Sequence, residues 1–143
     1  MTYHYLEDFA TADIAFEATG RDLEELFGAA ADATMNVMVE EIDAIEAREA
    51  RTIELRSREV DMLLFDFLQE LIYYKDAEHL LLRVKEIVIA AQDGVYSLRA
   101  IGRGERLDLE RHEQRADVKA VTLHRFRVEH TDEGFKAFVI LDV

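Results

Sequence analysis

The chain has 143 residues, half of them apolar and a third charged, and its 31 acidic against 17 basic residues give a formal charge of -14. This charge opposes direct binding to the phosphate backbone of RNA or DNA, and the absence of cysteine excludes disulfides, thiolate catalysis and cysteine-ligated metal centres. No apolar run approaches the roughly 20 residues of a membrane helix, and the first eight residues lack an export signal, so we expect a cytoplasmic protein without a membrane anchor.

The chain begins with two predicted strands. The aromatic segment 3–9 predicts an edge strand. The residues from Asp13 onward alternate in polarity, which predicts a half-buried strand that ends at Gly20. Its predicted inward-facing residues are Ile14, Phe16 and Ala18, and its predicted outward-facing residues are Ala15 and Glu17.

Two helices are predicted where apolar residues recur every three or four positions. The first begins after Asp22, an N-cap with Glu25 three residues on, and the second begins near Val60. A half-buried strand, 50–57, is predicted between them. The first helix buries Leu23, Leu26, Phe27, Ala30, Thr34, Val37 and Met38, and the second buries Val60, Leu63, Leu64, Phe67, Leu68, Leu71 and Ile72.

A hairpin is predicted after the second helix. Residues 80–91 have a strand pattern, and Asp93 and Gly94 form a typical two-residue hairpin turn. The returning strand contains Tyr96, Leu98 and Ala100. The glycines at 102 and 104 then predict a loop.

Three further segments complete the predicted fold. A strand is predicted to begin near Asp117, after an approach that starts at Arg111, and to continue through Phe126 and Val128. Residues 131–134 predict a second hairpin turn, and residues 135–143 predict a last strand. This order of elements predicts an α+β fold, a single-domain sandwich over 1–143 in which two main helices pack on one face of a mixed or mostly antiparallel sheet.

The end of the predicted last strand is a candidate metal site. There the side-chain carboxylate of Asp142 and the α-carboxylate of Val143 lie one residue apart. If Asp13, at the start of the second strand, neighbours this end, three carboxyl groups converge with no sulfur nearby. Hard oxygen donors of this kind select calcium or magnesium over zinc or copper. The alternative is an acidic strand end that lies in solvent.

Segment 111–124 and its approach combine several kinds of functional side chain. Strand alternation directs Lys119 away from the face of Val118, and a solvated lysine on a sheet edge is the commoner explanation of such a position. The histidine spacing does not indicate zinc, and no phosphate-binding loop or nucleophile motif is present. The side chains able to recognise phosphate or transfer a proton are Asp108, Arg111, His112, Lys119 and His124.

Five short blocks, spread over almost the whole chain, are similar to a known family. They are residues 11–14 (Thr-Ala-Asp-Ile), 63–71 (Leu-Leu-Phe-Asp-Phe-Leu-Gln-Glu-Leu), Gly104-Glu105 with Asp108 and Arg111-His112, 118–122 (Val-Lys-Ala-Val-Thr) with His124, and 139–143 (Val-Ile-Leu-Asp-Val). In these blocks the chain resembles the archease family, whose members assist the RNA-splicing ligase that joins tRNA halves through a guanylylated histidine.

The resemblance implies a metal site and a partner. It implies a divalent cation, calcium first with magnesium or manganese as alternatives, held by Asp13, Asp142 and Val143. It also implies that this tip of the protein enters the active site of a basic, GTP-dependent ligase, where Lys119 aids nucleotide transfer. The protein would then be a non-catalytic activator that promotes guanylylation, permits repeated turnover and broadens nucleotide use.

This chain departs from the family pattern at four positions. Ala10 stands where the family has histidine before Thr-Ala-Asp, Leu123 stands in place of tyrosine, and Phe67 and Gln69 replace tryptophan and asparagine. The change at Ala10 removes an imidazole beside Asp13, which weakens support for a bound metal or alters the contact with the ligase. It is also compatible with a specialised branch whose partner has changed.

Two other functions fit the residues. A general chaperone or modulator of nucleic-acid-modifying proteins would bind through the apolar surface around Phe65, Tyr73 and Tyr74. A metal-dependent phosphatase or nucleotide hydrolase would use His112 and Lys119, but no nucleophile is evident. The sequence leaves the oligomeric state open, a homo-oligomer included.

Overall fold

A computed structural model describes residues 2–6 and 13–143, in which two helices pack against two antiparallel sheets. The first sheet contains β1 (Thr2–Leu6), β2 (Asp13–Gly20), β6 (Ala120–Val121), β7 (Arg127–Thr131) and β8 (Gly134–Asp142). The second contains β3 (Glu49–Ser57), β4 (Leu80–Gln92) and β5 (Val95–Arg106), in the order β3-β5-β4. The helices are α1 (Leu23–Met38) and α2 (Val60–Glu78), and a 3-10 turn covers Ile42–Ala44.

Strand β8 is the centre of the first sheet. It pairs with β2 along one edge, and with both β6 and β7 along the other edge. Strand β1 extends the sheet beyond β2. The predicted α+β fold with helices on antiparallel sheet is therefore confirmed. The sequence did not reveal that the strands divide into two sheets, and each helix contacts strands of both.

Helix α1 is buried around most of its circumference, as expected for a helix between two sheets. Its start is the predicted one, since the Asp22 side chain accepts the Glu25 N–H at 2.8 Å. Small residues let both sheets approach it, and its one buried acid, Asp32, is paired with the Arg83 guanidinium of β4 at 2.8 Å. The small residues are Gly28, Ala29, Ala30, Ala31 and Ala33.

Helix α2 buries the predicted apolar stripe and continues one and a half turns beyond it. It ends at His79, which has a left-handed backbone with φ of 55°. Lys75 lies in this added segment and is buried, although its neighbours Asp76 and Ala77 are exposed. No helix within the described residues is long and apolar enough to cross a membrane.

The inner face predicted for β2 is confirmed. Its outer face is less exposed than the alternation predicts. Phe16 and Ala18 are fully buried in the main core. Ala15 does face outward, but it is also buried, because Leu6 of β1 lies directly opposite it and covers that face. Together with two residues of β8 this forms a small second apolar cluster, consisting of Leu6, Ala15, Phe138 and Ile140.

The predicted loop at Gly102 and Gly104 is wrong, because both glycines lie inside β5. Strand β5 is central in its sheet and pairs on both edges. A β-carbon at Gly104 would fall onto the backbone carbonyl of Leu81, so only glycine allows β4 to pass so closely. At Gly102 an added β-carbon would meet only the flexible side chain of Leu82, at 3.2 Å.

The strand predicted from near Asp117 through Val128 is not continuous, since it divides into the two-residue β6 and, after a turn, β7. In the approach from Arg111 to Lys119, Gln114 forms an isolated bridge with Val39. The preceding loop crosses the C-terminal end of α1, where the N–H groups of Arg115 and Ala116 donate to the carbonyls of Met38 and Val37. These carbonyls have no partner within a helix, and the loop satisfies them instead of pairing with a strand. The predicted edge strand 3–9 is confirmed as β1 over Thr2–Leu6, and residues 7–9 lie outside the described residues.

The close approach at Gly104 yields a first prediction. Gly104→Ala lowers the free energy of unfolding by about 3 kcal/mol, because the new methyl group displaces β4 from β5. Gly102→Ala, two residues away in the same strand, changes it by less than about 1 kcal/mol, since the Leu82 side chain can move. Chemical denaturation of both variants checks this, and equal stability of the two would contradict it.

Candidate metal and partner site

The register of β2 on β8 places Asp13 directly opposite Asp142. Side chains at opposite positions of an antiparallel pair lie on the same face, with Cβ atoms about 4.5–5.5 Å apart. For this pair the shared face is the outer one, since the neighbouring residues of the same parity are Ala15 and Ile140. Two half-exposed carboxylates therefore stand side by side at one end of the first sheet.

The residue Asp142 also connects this acidic pair to Lys119. The Lys119 N–H donates to the Asp142 carbonyl at 2.8 Å, and Ala120 lies opposite Asp142 on the edge away from Asp13. The ends of β2, β8 and β6 thus meet at one place. We call Asp13, Lys119, Ala120, Asp142 and Val143 the sheet tip.

The Lys119 side chain is exposed, and it makes no hydrogen bond or ion pair with another described residue. Val118 before it is fully buried, so the predicted opposite orientation of these two residues is correct although the segment is not a strand. The ammonium group is therefore available to a ligand or partner at the sheet tip.

The donor set of the sheet tip fits a hard divalent cation. No basic side chain of the described residues forms an ion pair with Asp13 or Asp142, and two carboxylates directly opposite each other repel. Across residues 2–6 and 13–143, no three His, Cys, Asp or Glu side chains are arranged to hold a metal ion. A metal at the tip therefore needs a donor beyond the two aspartates, and Val143 follows Asp142 directly in the chain. Ala10, which replaces the family histidine, lies outside the described residues.

Three other predicted site residues form a turn after β5. The carbonyl of Asp108 accepts the N–H groups of Arg111 at 3.1 Å and His112 at 2.8 Å. The Asp108 N–H in turn donates to His112 Nδ1 at 2.8 Å, so this nitrogen carries no hydrogen and the proton is on Nε2. These contacts are local, and they hold the loop in shape before it crosses α1.

Glu105 is the buried centre of this turn. Its carboxylate accepts hydrogen bonds from the Arg111 guanidinium and from the Glu46 N–H, and His112 Nε2 lies 3.6 Å from Glu105 Oε1. Burial favours the neutral acid, but the hydrogen bonds from Arg111 and Glu46 outweigh it and lower the pKa of Glu105. Arg111 responds in the opposite direction, and its pKa is raised by the same contact.

The predicted site residues thus separate into two groups. Lys119 lies at the sheet tip, whereas Arg111 and His112 lie against Glu105, and Asp108 accepts their backbone N–H groups. His124 lies exposed in the turn between β6 and β7 and bonds to no other described residue.

Lys75 is absent from the residues predicted for the site, yet it contacts the segment that leads to Lys119. Its Nζ donates to the Val118 carbonyl at 2.7 Å and to Asp117 Oδ1 at 2.5 Å. The pattern does contain a signal for it, because Lys75 follows Leu71 and Ile72 on the apolar stripe of α2. A lysine on a buried stripe needs a partner, which makes it a candidate for a specific contact.

Comparison with known proteins decides the family. The model of the Archease protein family matches residues 3–143. This chain belongs to the archease family. Among its relatives, the archease of Pyrococcus abyssi is 38% identical over 124 residues, which cover 87% of each chain. The archease of Archaeoglobus fulgidus is 37% identical over 143 residues, which cover 100% of each chain.

Two solved structures have the same archease fold. A Methanobacterium thermoautotrophicum protein solved in solution has a TM-score of 0.84 and 37% identity, covering 99% of this chain and 98% of that one. A crystal structure of a Thermotoga maritima archease, which carries the description "possible chaperone", has a TM-score of 0.65 and 22% identity, covering 98% and 99%. The second similarity concerns the fold alone.

The buried carboxylate of Glu105 yields a pH-dependent prediction. Glu105→Gln lowers the free energy of unfolding by about 1.5–3 kcal/mol at pH 7, because a charged acceptor for Arg111 is lost. The folded-state pKa of Glu105 is lowered, so its stabilisation is present above the unfolded value of 4.5 and is lost as pH falls through the folded value. Urea denaturation at pH 7 and pH 3.5 checks this.

The control for this prediction is Glu110→Gln in the same loop, where the side chain is exposed. This variant changes stability by less than about 0.5 kcal/mol at either pH. An equal loss of stability in Glu105→Gln at both pH values would show that the carboxylate charge is not the stabilising feature.

Proposed function

We propose that this archease is a non-catalytic activator of the RNA-splicing ligase that joins tRNA halves in the cytoplasm. It promotes guanylylation of the ligase, permits repeated turnover and broadens the choice of nucleotide. The observation that carries the proposal is the meeting of Asp13, Asp142 and Lys119 at the sheet tip. Two carboxylates and a free ammonium on one exposed edge can act inside the active site of another protein.

Within this proposal the sheet tip holds a divalent cation. The ligands are the side chains of Asp13 and Asp142 and the main-chain carboxylate of Val143, and calcium is the expected ion, with magnesium or manganese also compatible with oxygen donors. The ion supplies positive charge that relieves the repulsion between the two aspartates. Asp13 and Asp142 in turn keep that charge at the point where the tip meets the ligase.

Lys119 supplies the second function of the tip. Its ammonium has no partner within the described part of the chain. The backbone N–H of the same residue donates to the Asp142 carbonyl. A mobile cation of this kind contacts phosphate oxygens as a point charge. We assign Lys119 to the nucleotide that is transferred to the ligase histidine, and His124 in the nearby turn to the ligase surface.

The charge of the chain supports a basic protein partner. A net charge of -14 attracts a ligase whose surface is positively charged for RNA, and it disfavours direct contact between archease and the RNA. This attraction acts over about 8–10 Å at ordinary salt concentrations and weakens as salt rises. Asp108, Arg111 and His112 then contribute indirectly, by holding the loop that leads to Lys119.

The first test removes one carboxylate. Asp13→Asn keeps the shape of the side chain but removes a metal ligand and its charge, so we expect divalent cation binding to fall and ligase guanylylation to return to the rate of ligase alone. Isothermal titration with calcium and a gel assay of guanylylated ligase measure these two effects. Glu133→Gln is the control, because this exposed acid lies in the turn between β7 and β8, at the opposite end of β8 from Asp142. Full stimulation by Asp13→Asn would refute the proposal.

The second test concerns the main-chain ligand. Adding two residues after Val143 moves the terminal carboxylate away from Asp142, so both cation binding and ligase stimulation are expected to fall. Val143→Ala retains the carboxylate and is expected to keep both properties. Unchanged cation binding by the extended protein would exclude Val143 as a ligand while leaving the aspartates untested by this variant.

A second candidate function is general chaperoning of nucleic-acid-modifying proteins. It is favoured by exposed apolar side chains, among them Tyr73 at 58% and Leu123 at 61% exposure. Its test is suppression of aggregation of an unrelated RNA-modifying enzyme. Suppression that Asp13→Asn leaves intact and Tyr73→Ser abolishes would favour this function over ligase activation.

A further inference from the structure

The segment 118–122 is held along both of its edges by different elements. On one edge the N–H groups of Lys119 and Thr122 donate to the carbonyls of Asp142 and Ile140 of β8, at 2.8 and 3.0 Å. On the other edge no strand among residues 2–6 and 13–143 is paired with it. Side chains of α2 take the place of that strand.

Two side chains of α2 bind this open edge. Gln69 Oε1 accepts the Val121 N–H at 2.9 Å, and Lys75 Nζ donates to the Val118 carbonyl at 2.7 Å. These two backbone groups lie on either side of Lys119. The segment therefore receives one donor and one acceptor from α2, as it would from a neighbouring strand.

Lys75 is held firmly in this position. Its ammonium donates to Asp117 Oδ1 at 2.5 Å and to the Val118 carbonyl at 2.7 Å, and it forms an ion pair with Asp76 Oδ1 at 2.6 Å. Burial disfavours its charge, but the hydrogen bonds to Asp117 and Asp76 outweigh this effect and raise the pKa of Lys75. Its side chain is only 10% exposed, so water does not compete freely for the Val118 carbonyl.

The segment needs such support because β6 is very short. It comprises two residues, Ala120 and Val121, and the preceding residues form an irregular loop. A two-residue pairing on the edge of a sheet does not fix the backbone by itself, since each ordered residue costs about 1–2 kcal/mol of conformational entropy. The position of Lys119 relative to Asp142 therefore depends on α2 as well as on β8.

We propose that Lys75 and Gln69 form a clamp on α2 that positions Lys119 beside Asp142 at the sheet tip. The proposal rests on the function proposed above and adds two positioning residues to it. Both act through the backbone next to Lys119, at Val118 and Val121, and the surface that meets the ligase is left to other residues.

The clamp is first tested without the ligase, by amide hydrogen exchange measured by NMR. Lys75→Met keeps the aliphatic stem and leaves Asp117 and Asp76 in water, where they are already 70% and 55% exposed. We expect exchange at the Lys119 and Thr122 amides to accelerate by about tenfold, the effect of losing one such hydrogen bond. Amides in the centre of the β2–β8 pairing, such as Val139, keep their rates.

The control is Lys75→Arg, which keeps the positive charge and a side chain long enough to donate to the Val118 carbonyl. We expect hydrogen exchange at the Lys119 amide to stay slow in this variant. Gln69→Leu tests the other half of the clamp, and it is expected to accelerate exchange of the Val121 amide. Unchanged exchange at 119–122 in both Lys75→Met and Gln69→Leu would overturn the clamp. A uniform acceleration over the whole sheet would also overturn it, because that pattern reports global destabilisation.

The functional consequence is tested by titrating the protein into a ligase guanylylation assay. Lys75→Met is expected to lower the maximal stimulation several-fold, with the half-saturating concentration changed less than about twofold, because the docking surface is intact. Lys75→Arg restores the maximum. A rise in the half-saturating concentration at an unchanged maximum would overturn the positioning role.

The two proposals fail in different ways. If Asp13→Asn and Lys119→Ala both leave ligase stimulation intact, the proposed function is wrong, and the exchange measurement still decides whether Lys75 and Gln69 order the segment. If those two variants abolish stimulation and Lys75→Met changes neither exchange nor stimulation, the clamp is wrong and the proposed function stands.

Discussion

The register between β2 and β8 is the constraint on which the fold and the sheet tip both depend. Phe16 and Val139 lie opposite each other in this register and are fully buried, so the core requires it. A slip of one residue would turn every side chain of the strand to the other face and expose the core residues. The same register places Asp13 opposite Asp142. Formation of the core therefore also brings the two carboxylates together. No further backbone conformational entropy is lost in placing them side by side.

Helix α2 links the core to the tip in a second way. Its buried stripe anchors it between the sheets, and the side chains of Gln69 and Lys75 extend that anchoring to the backbone around Lys119. The loop that leads to Lys119 is fixed at its other end by the carboxylate of Glu105. The tip is consequently an irregular segment held at several points, which suits a part of the molecule proposed to enter another protein.

Local sequence patterns predict much of the fold, but they predict only part of the candidate site. The helices, the Asp93-Gly94 hairpin turn and the inner face of β2 were predictable because each depends on residues close in sequence. The glycines of β5 were misleading, since the need for glycine at 104 comes from Leu81 on a neighbouring strand. The irregular path of the loop before β6 was hidden for the same reason, because the carbonyls bonded by Arg115 and Ala116 lie on α1 and the one bonded by Lys119 lies on β8. Lys75 was missed because its acceptors are about 40 residues away, although its place on an apolar stripe is a detectable signal.

The central claim is that the ends of β2, β6 and β8 form one site for a divalent cation. Paramagnetic relaxation by Mn²⁺, measured by NMR on the isotope-labelled protein, tests it most directly because broadening falls steeply with distance from the ion. The account predicts selective broadening of the amides of Ile14, Ala120 and Asp142 at substoichiometric Mn²⁺, with Gly20 and Phe135 at the opposite end of the β2–β8 pairing unaffected. Broadening spread evenly over the acidic surface, or centred away from the sheet tip, would contradict it.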